Sequence, residues 1–166
     1  VAALDDFNAE PADRAAEALH ACNAAPRFAA EVLARRPYPD AAALVAAAEE
    51  IARALPWPEV EQALAAHPRI GDRVTGSSAE AAASRREQSS MGTADDAVRA
   101  ALLEGNRAYE QRFGHVFLVR AAGRSPEEML AELRRRLAND PESERVEVTE
   151  QLAQITGLRV KGLVSP

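Results

Sequence analysis

The run Phe113-Gly114-His115-Val116-Phe117-Leu118-Val119 decides the fold class, because it alone reads either as a strand or as a buried helical turn. Periodicity cannot choose between the two in so short an apolar run. The rest of the chain does: a strand needs a partner, and no second candidate is present. The run is therefore expected to be non-strand. Its neighbours on both sides are helical. Upstream, residues 94–112 put Val98, Leu102, Tyr109 and Phe113 on one face, with Gly105 and Asn106 on it too. Downstream, Ser125-Pro126-Glu127-Glu128 has the pattern of a helix start: a capping serine, proline at the first helical position and glutamate at the third. Met129, Leu130, Leu133 and Leu137 follow at helical spacing.

Further out the reading stays helical. Pro11 opens a helix over 11–22 with Ala15, Leu19 and Cys22 on one face, and Phe28, Val32 and Leu33 mark a short one stopped by Pro37 and Pro39. Asp40 caps a helix over 40–54 that carries Leu44, Val45, Ala48, Ile51 and Ala52 inward. A helix over 58–66 must stop near His67, since Pro68 pushes the residue before it out of the α region. Residues 67–77 read as a loop with Ile70 and Val74 as its strong apolar groups. Residues 79–90 are helical, and Asp140-Pro141-Glu142 opens a last helix to about Leu158. The expectation is an all-α chain over residues 1–166, a single compact domain of about seven to nine helices.

Composition agrees. The chain has 166 residues, 47% apolar with alanine dominant and only 4% aromatic. Alanine is the strongest helix former. The 26 acidic and 20 basic side chains leave a net charge of −6, a poor field for nucleic acid or an anionic membrane. One cysteine, Cys22, excludes an internal disulfide, and three histidines with one cysteine argue against a closed zinc site. No stretch approaches the roughly 20 apolar residues of a transmembrane helix. No signal peptide is visible, so a cytoplasmic protein is expected, with the start at Val1 leaving room for a trimmed upstream segment.

Five places can carry chemistry. His67 sits at a helix C-terminus, where the dipole favours imidazolium, and before a proline that aims its backbone. It is either a proton donor or a cap for helix carbonyls. Ser84, Glu87 and Gln88 share one helix face, which either holds a polar ligand or is simply solvated. Asn106 lies on an apolar face, and its preferred reading is a tie to a neighbouring loop. The backbone of Val119, Arg120, Ala121, Ala122 and Gly123 is approachable and either binds an oxygen-rich ligand or is a plain loop. Arg159 either pairs with helix-end carbonyls or clamps a carboxylate.

Together and in this order, several segments resemble the family of 2-oxo-4-hydroxy-4-carboxy-5-ureidoimidazoline (OHCU) decarboxylases of urate degradation. They are Phe7-Asn8, Arg36-Pro37-Tyr38, His67-Pro68-Arg69-Ile70-Gly71, Ser84 with Glu87-Gln88, Asn106 with Tyr109, Phe113-Gly114 with Phe117, and Arg159. The departures are Phe28, where tryptophan is common, and the stretch Ser89-Ser90-Met91-Gly92. The resemblance implies an all-α fold and conversion of OHCU to (S)-allantoin and CO2 with no metal and no organic cofactor, since the substrate carries its own electron sink. It implies a small-molecule substrate and a homodimer. It also implies catalytic roles for His67 as proton donor and Glu87, with substrate contacts at Pro68, Ser84, Gln88, Val119, Arg120, Ala121, Ala122, Gly123 and Arg159. The rival reading is a non-catalytic helical module that binds a related ureide or purine metabolite.

Overall fold

A computed structural model describes residues 2–72 and 76–165. Val74, one of the two apolar groups read in the 67–77 loop, lies outside the described residues; the other, Ile70, is buried. All regular structure among the described residues is helical, as expected. The chain divides into two compact units, Val1–Ala63 with Leu152–Pro166, and Leu64–Gln151.

The first unit holds α1 (Ala2–Ala9), α2 (Ala12–Cys22), α3 (Phe28–Ala34), α4 (Ala41–Arg53) and nearly all of α5 (Trp57–Leu64). Asp40 caps α4 as expected, its side chain accepting from the Ala43 N–H at 2.7 Å. The apolar stripes pack α2 on α3 and α3 on α4, burying Leu19, Phe28, Val32, Leu44 and Ile51. Each such side chain contributes about 1.5–3 kcal/mol by leaving water. The short helix α1 had no legible sequence pattern. It is held by Asn8, whose amide donates to the Tyr38 carbonyl at 3.0 Å and accepts the Tyr38 N–H at 2.9 Å. Arg36 adds hydrogen bonds to the carbonyls of Phe7 and Glu10. The paired motifs Phe7-Asn8 and Arg36-Pro37-Tyr38 thus do structural work in this unit.

The second unit holds α6 (Ala79–Glu87), a 3-10 turn (Ser89–Thr93), α7 (Asp96–Phe113), α8 (Pro126–Arg136) and the first part of α9 (Pro141–Leu163), which continues in the first unit. The capping box at Ser125 and Glu128 is present. Helix α6 ends at Glu87, so the expected 79–90 helix is really a helix and a tighter turn. Helix α9 runs on to Leu163, past the expected end at about Leu158. Gly157 is there for closeness: a Cβ would lie 2.5 Å from Glu49 Oε1. The core of this unit gathers Ile70, Met91, Leu102, Tyr109, Phe117, Val119, Met129 and Leu133.

The Phe113–Val119 run is irregular after Gly114, which ends α7 in the left-handed conformation at φ 80°. Phe117, Leu118 and Val119 are buried. A buried irregular backbone must still satisfy its polar groups. Here side chains replace the missing partner strand, which is why no sheet is needed.

Candidate active site

Two of those side chains set the 118–120 backbone. Arg136 donates to the Leu118 carbonyl at 2.6 Å, and Gln151 Oε1 accepts the Arg120 N–H at 2.8 Å. Arg136 is itself fully buried and paired with Glu144, also fully buried, at 2.5 Å. Its guanidinium lies 4.6 Å from the centre of the Phe117 ring. Tyr109 completes the group by donating its hydroxyl to Glu144. Burial first, and then that hydrogen bond, push the Tyr109 phenol well above its ordinary value, so it remains a donor. A buried ion pair is tolerable only with such extra hydrogen bonds around it. None of this was legible in the sequence, where Arg136 ends an Arg-Arg-Arg run that reads as solvated charge.

His67 follows α5, its N–H bonded to the Leu64 carbonyl at 2.9 Å. Histidine and Pro68 are both half-buried. The next three residues are each pinned. Arg69 makes a bidentate pair with Glu110 of α7, at 2.7 and 3.0 Å. The Ile70 carbonyl accepts from Asn106 Nδ2 at 2.9 Å. The Gly71 N–H donates to Gln88 Oε1 at 3.0 Å, and Gly71 needs its freedom for φ 90°. The tie expected of Asn106 is therefore present.

Gln88 joins the His67 segment to the end of α6, whose last turn carries Ser84 and Glu87. Ser84 is buried, and Glu87 and Gln88 are half-buried, so this face is not an ordinary solvated one. In the 119–123 stretch, Val119 and Ala121 are buried, Arg120 and Ala122 half-buried, and Gly123 exposed at φ 78°. The Arg120 N–H is engaged by Gln151, so a ligand would meet other backbone groups there. Arg159 belongs to the first unit, half-buried, and donates to the Ala21 carbonyl at 3.3 Å. A separate groove of about 260 Å³ lies on α7 and α8, lined by Ala101, Glu104, Gly105, Leu130 and Arg134 among others. No expected site residue lines it, so we do not take it for the active site. Among the described residues no His, Cys, Asp and Glu group is arranged to hold a metal ion.

The arrangement offers an imidazole on a pinned loop, the Gln88 amide bonded to that loop, the half-buried Glu87 carboxylate next to Gln88 in the chain, and a backbone fixed at Leu118 and Arg120. Residues 8–161 match the family model described as OHCU decarboxylase. The chain belongs to the OHCU decarboxylase family. A family member from Amia calva, named 2-oxo-4-hydroxy-4-carboxy-5-ureidoimidazoline decarboxylase, is 34% identical over 143 residues, covering 84% of this chain and 81% of the relative. The Arabidopsis thaliana "Uric acid degradation bifunctional protein TTL" is 34% identical over 108 residues, 63% of this chain and 33% of that protein. A crystal structure of OHCU decarboxylase in the presence of (S)-allantoin superposes with a TM-score of 0.76 at 26% identity, covering 90% of this chain and 99% of that one. A structure of (S)-allantoin synthase, at 21% identity and a TM-score of 0.69, shares the fold; it covers 97% of this chain and 54% of its own. Family membership makes this chain a decarboxylase rather than a passive binding module.

Proposed function

We propose that this OHCU decarboxylase forms (S)-allantoin, with His67 delivering the proton that fixes the configuration. The substrate's name defines its chemistry. The carbon losing CO2 bears a hydroxyl and adjoins the ring C=N that carries the ureido group. Breaking the C–CO2 bond of the carboxylate sends its electron pair towards that C=N, whose nitrogen takes up a proton, and leaves an enol. The enol hydroxyl gives up its proton and becomes the ring carbonyl, while a proton adds to the ureido-bearing carbon. Two protons are given and one is taken, the net proton balancing the charge of the lost carboxylate, and no electron carrier or external oxidant is needed. The protein must orient the ring, stabilise developing negative charge and protonate one face.

Glu87 is the acceptor for the hydroxyl or the group that orients His67, and Ser84 and Gln88 meet the ureido and ring amides. Pro68 shapes the wall beside His67, and the 119–123 backbone supplies donors to a carbonyl oxygen. Arg159 is assigned to the substrate carboxylate on the sequence pattern alone. Action as one cytoplasmic domain without cofactor, in a homodimer, completes the reading. The observation that carries it is the Gln88–Gly71 hydrogen bond, which ties the His67 segment to the Ser84–Gln88 face within one unit. The test generates OHCU in place with urate oxidase and hydroxyisourate hydrolase and follows circular dichroism. Added protein should yield optically active (S)-allantoin, and Glu87→Gln should lower kcat with the melting curve unchanged. A racemic product at the spontaneous rate would refute the proposal.

A further inference from the structure

We propose that Asn106 and Glu110 are positioning residues that hold the His67 segment in its working geometry. The proposal rests on the role given to His67 above. The two residues lie one helical turn apart on α7 and grip consecutive residues of the segment. Asn106 holds the Ile70 carbonyl at 2.9 Å, and Glu110 holds the Arg69 guanidinium through two bonds. The grip starts two residues after His67, on a backbone already stiffened by Pro68. Ile70 is in the apolar core, so its carbonyl is fixed at a buried anchor rather than a surface one.

Asn106 itself argues for a positional role. It is 2% exposed on a face that otherwise presents Leu102 and Tyr109 to the core. Only its amide nitrogen is used; Oδ1 is buried and makes no hydrogen bond among the described residues. An apolar residue would avoid that unsatisfied oxygen. What asparagine adds at this position is one directional bond to the histidine-bearing loop. Arg69 is thereby committed to Glu110, with Asp72 3.6 Å away, and is a strap rather than a substrate cation.

The test compares Asn106→Leu, Glu110→Gln and the double variant with the unaltered chain, in the coupled assay and in thermal melts. Loss of alignment in Asn106→Leu should lower kcat about 10- to 100-fold with KM little changed. Glu110→Gln breaks a partly exposed pair and should lower kcat about threefold. The optical purity of allantoin should fall in both at protein concentrations where the catalysed flux outruns spontaneous decay. The double variant should lose less than the product of the single losses, because both act on one loop. Unchanged kcat and optical purity per folded molecule, with only a lower Tm, would overturn the proposal. If Asn106→Leu does not fold, Glu110→Gln decides alone by the same readouts. An inactive wild-type chain would instead refute the reading of His67 on which the proposal stands.

Discussion

Two asparagines, each 2% exposed, show how differently the two units are built. Asn23, in the first unit, uses both ends of its amide. It donates to Thr156 Oγ1 at 3.1 Å and accepts the Ala25 N–H at 2.9 Å. Asn106, in the second, uses one end and leaves the other buried and unpaired. The pattern extends beyond these two. The buried side-chain atoms without a hydrogen bond among the described residues are Asn106 Oδ1, Arg120 Nε and Arg124 Nε, and all lie in the second unit. So do His67, Ser84, Glu87, Gln88 and the 119–123 backbone. Satisfied polar groups mark a unit organised for stability, whereas unsatisfied ones gather where sequence is held to another requirement.

The comparison can be broken most directly at His67. His67→Asn should melt like the unaltered chain yet lose about 10²- to 10⁴-fold in activity, the usual range for a removed acid-base group. Circular dichroism of the product reads this, and a wild-type rate would return His67 to a helix cap. The next largest effect is on folding. Arg136→Met leaves Glu144 charged and buried without its partner, and should cost about 3–5 kcal/mol in urea unfolding. A smaller loss would mean that Tyr109 and Asn139, which also bond Glu144, suffice to hold it.

A finer contrast sets Asn23→Leu against Asn106→Leu. The first strands a buried Ala25 N–H and should cost about 1–3 kcal/mol with activity per folded molecule intact. The second also removes an atom that had no partner, so its loss of stability should be smaller while its activity falls. The reverse order in melts and assays would erase the distinction between the units.

The smallest effect is acid sensitivity. Arg135 holds the carboxyls of Glu132 and Glu147 below the usual value through hydrogen bonds, and the Ser125 N–H and hydroxyl do the same for Glu128. The Ser143 N–H and hydroxyl lower Asp140 likewise. All four belong to the second unit. A carboxylate whose folded value is lowered contributes stability above its unfolded value, and that contribution is lost as pH falls through the folded value. Amide exchange should therefore show the second unit loosening as pH drops below about 4.5. Glu128 and Asp140 are exposed and Glu132 and Glu147 half-buried, so added salt should blunt part of the effect. Earlier loosening of the first unit would count against it.

The helices were legible because their signals are local. Asp40, Ser125-Pro126 and the apolar stripe of α7 each act through neighbours three or four residues away. Helix α1 escaped for the same reason, since it is held by Tyr38 and Arg36 from far along the chain. The 3-10 turn after α6 and the run of α9 on to Leu163 escaped as well. Arg136 and Glu144 escaped because charged residues read as exposed until packing encloses them.

The sequence by itself determined the all-α class, the caps, and the residue types able to move a proton, His67 and Glu87. These follow from short-range sterics and from side-chain chemistry. Only the tertiary structure decided how the Phe113–Val119 run would satisfy its backbone without a strand. It did so with Arg136 and Gln151, which come from separate helices. It likewise decided that Gln88, Asn106 and Glu110 converge on the three residues Arg69, Ile70 and Gly71. Long-range hydrogen bonds have no signature in spacing, because their partners are chosen by packing rather than by order along the chain.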